Sequence, residues 1–141
     1  MPIVGFNINR ILAEKTAQIK DKLNISSNLN IKNIEQEKVT IQKSEDILRF
    51  DFEFTTKYEP NIGNILIEGN ILYLDEPKNV KDILKKWKKN KEIPPKLMQQ
   101  IFNTILIRCN IKALELSQEI ALPPHLRLPK VETKKPENYI S

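Results

Sequence analysis

The residues of this chain that could do chemistry are few and scattered. Cys109 is the single cysteine and His125 the single histidine. A nucleophilic thiol needs a base beside it and a setting in which it can ionise. Cys109 instead lies within an apolar run, between Leu106 and Ala113, which predicts a buried and inert thiol. His125 stands between prolines at the exit of that run, a structural or surface position. One cysteine forms no internal disulfide, and one histidine with one distant cysteine gives no metal-ligand set. Gly5, Gly63 and Gly69 are too few and too dispersed for a phosphate-cradling loop or a dinucleotide fingerprint. Asp51 and Glu53 share a strand face with Arg49 and Lys57, and cross-strand ion pairs explain them more simply than acid–base catalysis does. The chain therefore reads as a non-enzyme, with no catalytic residue, no cofactor and no metal.

One charged cluster stands out. Lys81, Lys85, Lys86, Lys88, Lys89 and Lys91 surround Trp87. Lysines of this density can contact phosphates, and an exposed tryptophan can stack on a base. Trp87 also keeps the i, i+3, i+4, i+7 register of Val80, Ile83 and Leu84, the spacing of a helix face turned to a core. On that second reading the lysines are the solvated side of the helix. An anion-binding cluster, in a nucleic-acid-binding or ribosome-associated module, is kept as the alternative function.

The elements that must position these residues are legible from hydrophobic period. Phe6 and Ile8 open a strand, although Ala13 to Lys20 has equal propensity for helix. Leu23, Ile25, Leu29 and Ile31 share one parity against asparagines, predicting a second strand that ends in the polar interval Glu35 to Lys38. Leu48, Phe50, Phe52 and Phe54 alternate with Arg49, Asp51, Glu53 and Thr55, the clearest strand of the chain. After a turn at Glu59 to Asn64, a fourth strand places Ile65, Ile67, Ile71 and Tyr73 on the core side. Its other side carries Leu66, Leu72 and Leu74, which predicts a second covered face. A lysine-rich helix spans 79–91. Prolines at 94–95 and 123–124 then bracket a nearly all-round apolar helix of about 25 residues, expected to be enclosed. The proline-punctuated segment to Val131 should run extended, and 132–141 is a polar tail expected to be disordered. Four strands followed by two helices is an antiparallel α+β pattern: one domain over 1–131, with a four-stranded antiparallel sheet and two helices packed on one face.

Composition fits that plan. The chain has 141 residues, 40% hydrophobic and 29% charged, with a formal net charge of +5 that permits anionic partners. No uninterrupted apolar span predicts a membrane crossing, and residues 1–6 lack the pattern of a secretory leader. With one unpaired cysteine, a reducing cytoplasm is the expected location. Asn24-Ile25-Ser26 matches a glycosylation sequon and is read as chance in that setting.

Two segments carry a family resemblance. Phe6-Asn7-Ile8-Asn9-Arg10-Ile11-Leu12-Ala13-Glu14-Lys15 is similar to the opening strand of the SecB family of export chaperones. Ile107-Arg108-Cys109-Asn110-Ile111, with the exit Leu122-Pro123-Pro124-His125-Leu126-Arg127-Leu128-Pro129, is similar to that family's cysteine-bearing helix and proline-containing exit. The likeness extends over about residues 3 to 131 and includes the order of elements. It implies a sheet with helices on one face, assembly as a dimer or tetramer, and ATP-independent holding of unfolded polypeptide in surface grooves, in protein export, without a cofactor. The basic charge, the long lysine-rich helix and the missing metal-binding tail depart from the family and mark a divergent, archaeal member. On this reading Val4, Phe6, Leu66, Leu72 and Leu74 form the peptide-binding or oligomer face.

Overall fold

Alternation on the third strand organises the molecule. In the computed structural model, which describes residues 3–19, 22–42, 45–129 and 131, Leu48, Phe50, Phe52 and Phe54 are at most 1% exposed. They lie on β3 (Glu45–Glu59), hydrogen-bonded on one side to β4 (Gly63–Asp75) and on the other to β2 (Asn24–Gln42). Leu48 pairs with Tyr73, Phe50 with Ile71 and Phe54 with Ile67, so two apolar rows fuse into one wall. Each large side chain so buried contributes about 1.5–3 kcal/mol. β1 (Ile3–Lys15) adds to the free side of β4, giving one antiparallel sheet of order β1-β4-β3-β2.

Both outer strands depart from the simple alternation read in the sequence. β2 continues through the polar interval to Gln42. Glu35 and Glu37 reach Arg49 on the open side, at 2.8 and 2.9 Å, while Ile34 turns to the core and pairs with Phe50. A polar stretch can thus remain strand where its charges are matched across the ladder. β1 runs on to Lys15, so residues 13–15, which could equally have been helical, pair with β4: Ala13 sits opposite Ile65. Irregularities between Ile3 and Gly5 and between Ile8 and Arg10 shift which side each residue faces.

Both helices pack on the phenylalanine side. α1 (Pro77–Asn90) starts with a proline in its first turn and buries Val80, Ile83 and Trp87 against β2 and β3. It stops at Lys91, whose left-handed backbone (φ 58°) donates its N–H to the Trp87 carbonyl. α2 (Pro95–Glu119) lays a single file on the sheet: Leu97, Ile101, Ile105, Cys109, Ala113 and Ser117. The expectation of an enclosed helix is corrected here. Met98, Ile107 and Ile111 stay exposed on its outer side, because the sheet can cover only one stripe of a helix. No described helix is long and apolar enough to cross a membrane.

α2 ends when Ala121 adopts φ 57° and the Leu122 N–H bonds the Ser117 carbonyl at 2.8 Å. Leu122 is thereby folded into the core, and the exit segment crosses β3. Tyr58 Oη donates to the Pro123 carbonyl at 2.6 Å, and the His125 ring stands edge-on to Phe54. Residues 132–141, read as a disordered tail, lie outside the described residues.

Candidate functional site

The clearest opening lies between the outer strand β1 and the outer side of α2. Phe6 leans inward and stacks on Phe52, with ring centroids 5.5 Å apart and planes at 26°. The Arg108 guanidinium lies over that ring, 4.9 Å from its centroid. Ile8, Ile111 and Lys112 complete a groove of about 490 Å³. Ile107 (63% exposed) and Ile111 (56% exposed) stand one helical turn apart beside it. β1 is hydrogen-bonded to β4 alone, so its other edge offers unpaired backbone groups. An apolar floor next to a free strand edge suits an extended polypeptide, held by backbone pairing and side-chain contact.

Nucleophilic chemistry has no support at this place. Cys109 is fully buried in the inward file of α2, and burial pushes its thiol up to about 12. A thiol in that state is not ionised near neutrality. His125 Nε2 is 2.8 Å from Asn110 Oδ1, its Nδ1 is buried without a hydrogen-bond partner, and desolvation lowers its protonation range. Among the described residues no three His, Cys, Asp or Glu side chains group to hold a metal. A second cavity, of about 400 Å³, opens between the helices at the end of β4, lined in part by Tyr73, Asp75, Asn79, Lys96 and Gln100. The buried Asp75 carboxylate there already accepts bonds from Tyr73 Oη, the Glu76 N–H and Asn79 Nδ2, at 3.0, 2.7 and 3.0 Å. That set anchors the start of α1.

The five residues read as one peptide or oligomer face are divided by the sheet. Phe6 belongs to the helix-covered side, opposite Ile71. Leu66 and Leu72 face the open side, next to Leu12 and Gly5, and Leu74 pairs with the buried Ile47. All three leucines are half-buried within this chain. Val4 is the extra residue of the first irregularity and is 46% exposed. Parity counting groups Val4 with Phe6, and the inserted residue breaks that count.

Between the leucines, the open side carries a belt of charge. Arg10 on β1 bonds Glu68 on β4 at 2.9 Å, and Lys32 on β2 reaches Glu68 at 3.1 Å and Glu53 on β3 at 3.4 Å. Hydrogen bonds from Lys32 and then Arg10 hold the Glu68 carboxyl below its usual range. Arg49 engages Asp51 as well as Glu35 and Glu37. Asp51 and Glu53 are thus ion-pair members, as their spacing predicts.

The lysine cluster resolves differently from a nucleic-acid platform. Lys81, Lys85, Lys86, Lys88, Lys89 and Lys91 are all exposed, and Lys86 pairs with Asp82 at 3.5 Å. Trp87, however, is only 7% exposed and faces the core, with Lys91 Nζ 4.9 Å from its ring. It presents no face for a base to stack on. The groove cations Arg108 and Lys112 went unread as site residues. Their signal is the i, i+4 repeat of an apolar–basic pair, Ile107-Arg108 then Ile111-Lys112.

No protein-family model matches this chain, and no curated protein matches it. Among solved structures, the fold is similar to that of the Mycobacterium tuberculosis Rv1957 SecB-like chaperone, in complex with a ChAD peptide from the Rv1956 HigA1 antitoxin. The two align with a TM-score of 0.57 and 15% sequence identity, over 92% of this chain and 89% of that one. The likeness establishes a SecB-like fold, and it carries no information on an archaeal origin.

Proposed function

We propose that this SecB-like fold serves as an ATP-independent chaperone that holds extended or unfolded polypeptide. One observation carries the reading: the apolar groove beside the unpaired edge of β1, floored by Phe6 and Ile8 and flanked by the exposed Ile107 and Ile111. A solvated monomer gains nothing from two isoleucines more than half exposed, whereas a client side chain placed on them leaves water. That a chaperone of the same fold has been solved with a bound peptide supports the same use here. Backbone pairing and apolar contact read little sequence, so the expected client range is broad.

Assembly into a homo-oligomer belongs to the same proposal. The half-buried Leu66, Leu72 and Leu74 on the open side, with Val4 at its margin, are the surfaces that a second subunit would cover. The open-side carboxylates Glu35, Glu37, Asp51, Glu53 and Glu68 share the three cations Arg10, Lys32 and Arg49.

The decisive measurement is light scattering from a chemically denatured model enzyme diluted into buffer without nucleotide. A stoichiometric amount of the protein is expected to slow its aggregation, little affected by moderate salt. The double variant Ile107→Asp/Ile111→Asp, changed only at exposed positions, is expected to fold and to lose that protection. Unslowed aggregation at a stoichiometric excess of wild-type protein refutes the holding function.

A further inference from the structure

The groove is not electrically neutral, and that bears on which segments it takes. Arg108 stands at the wall with its guanidinium carbon 4.9 Å from the Phe6 ring centroid, and no described carboxylate pairs with it. Lys112 sits one turn on, half-buried, with Glu115 at 3.0 Å as its partner on the solvent side. Two cations therefore border an apolar floor, against one partly neutralising carboxylate. A guanidinium parked on an aromatic ring keeps its in-plane donors free, the geometry that meets a carboxylate in bidentate fashion. The chain as a whole carries +5, which adds a long-range attraction of the same sign.

We infer that the groove selects extended segments in which an acidic side chain lies next to an aromatic or large aliphatic one. The apolar residue would seat on Phe6, Ile8 and Ile111. The carboxylate, one or two positions along, would meet Arg108 and then Lys112. Lysine-rich segments would be repelled by the same pair. This inference rests on the polypeptide-holding reading and adds the charge of the client to it.

Three unstructured nonapeptides with an uncharged dye test it by fluorescence anisotropy. Each alternates Leu or Phe with Ser and carries, at the same two positions, Asp, Asn or Lys. Two solvent-accessible pairs are expected to make the Asp peptide bind about three- to tenfold more tightly than its Asn twin at low salt. Raising ionic strength should shrink that ratio, and the Lys peptide should bind weakest. Arg108→Gln/Lys112→Gln should bring the Asp and Asn peptides to equal affinity, whatever change it makes to the affinity they share. Lys85→Gln/Lys89→Gln removes the same charge from α1 and should leave the ratio intact. Equal binding of the Asp and Asn peptides by wild-type protein overturns the charge selection and leaves polypeptide holding standing. Binding of none of the three overturns both. Loss of the ratio in the α1 variant alone overturns the assignment to the groove.

Discussion

Replacing Gly69 by Ala tests how β1 is seated. A methyl group there would press into the carbonyl oxygen of Asn7 and lie 3.0 Å from both the Asn7 carbonyl carbon and Ile8 Cα. Every one of those atoms is backbone, so β1 itself must move. Overpacking against a rigid neighbour costs about 1–3 kcal/mol, and the gain from a less flexible unfolded chain offsets about 0.4–1. Because the clash is with backbone that cannot turn aside, the cost falls at the top of that range, and the net expected loss is about 2 kcal/mol, or about 4–8 °C in Tm for a domain of this size. Gly5→Ala is the control. Its methyl would meet only the Leu72 side chain, at 3.1 to 3.4 Å, which can yield, so a loss under about 1 kcal/mol is expected. Urea unfolding followed by circular dichroism and by the buried Trp87 gives the stabilities, and hydrogen exchange locates the damage. Protection should fall along β1 and persist on β3. Equal stability of Gly69→Ala and wild type within about 0.5 kcal/mol, with unchanged exchange on β1, would show that this strand is not seated as described.

Three further outcomes follow from the packing and the titrations. Ile105→Ala, in the buried file of α2, should cost about 2–5 kcal/mol in urea unfolding, whereas Ile107→Ala, 63% exposed, should stay within about 0.5 while weakening client holding. Cys109, pushed up to about 12 by burial, should react with a thiol reagent at pH 8 only as fast as the protein opens; prompt stoichiometric labelling of native protein contradicts its placement. Desolvation lowers the His125 protonation range below its unfolded value of 6.5, so the unfolded chain binds the proton first. The stability this contributes is present above pH 6.5 and lost as pH falls toward the lowered folded value; His125→Asn should flatten that slope, and an unchanged slope would place its origin elsewhere.

What was legible in the sequence follows from how regular each element is. β3 and β4 are central strands with one side wholly buried, so Leu48 to Phe54 and Ile65 to Tyr73 display their period without interruption. Prolines mark the starts of both helices, and the two-helix, four-strand order is readable from them. The outer strands were harder. Irregularities at Val4, Asn9 and Lys32 insert residues that parity counting cannot foresee, and Glu35 and Glu37 disguise strand as loop until Arg49 is brought opposite. The groove was invisible for a related reason. Its walls come from stretches about a hundred residues apart in the sequence, at Phe6 and Arg108, and only the fold brings them to 4.9 Å.

The charge belt on the open side of the sheet has a consequence for strand alignment. Exposed pairs of this kind add little to stability. They join β1, β4, β3 and β2 through Arg10, Glu68, Lys32 and Glu53, however, and that chain closes in one registration only. Slippage of either outer strand by a single residue would swing its cation under the helices and abandon Glu68. The belt thereby holds this sheet's own strands in a single alignment.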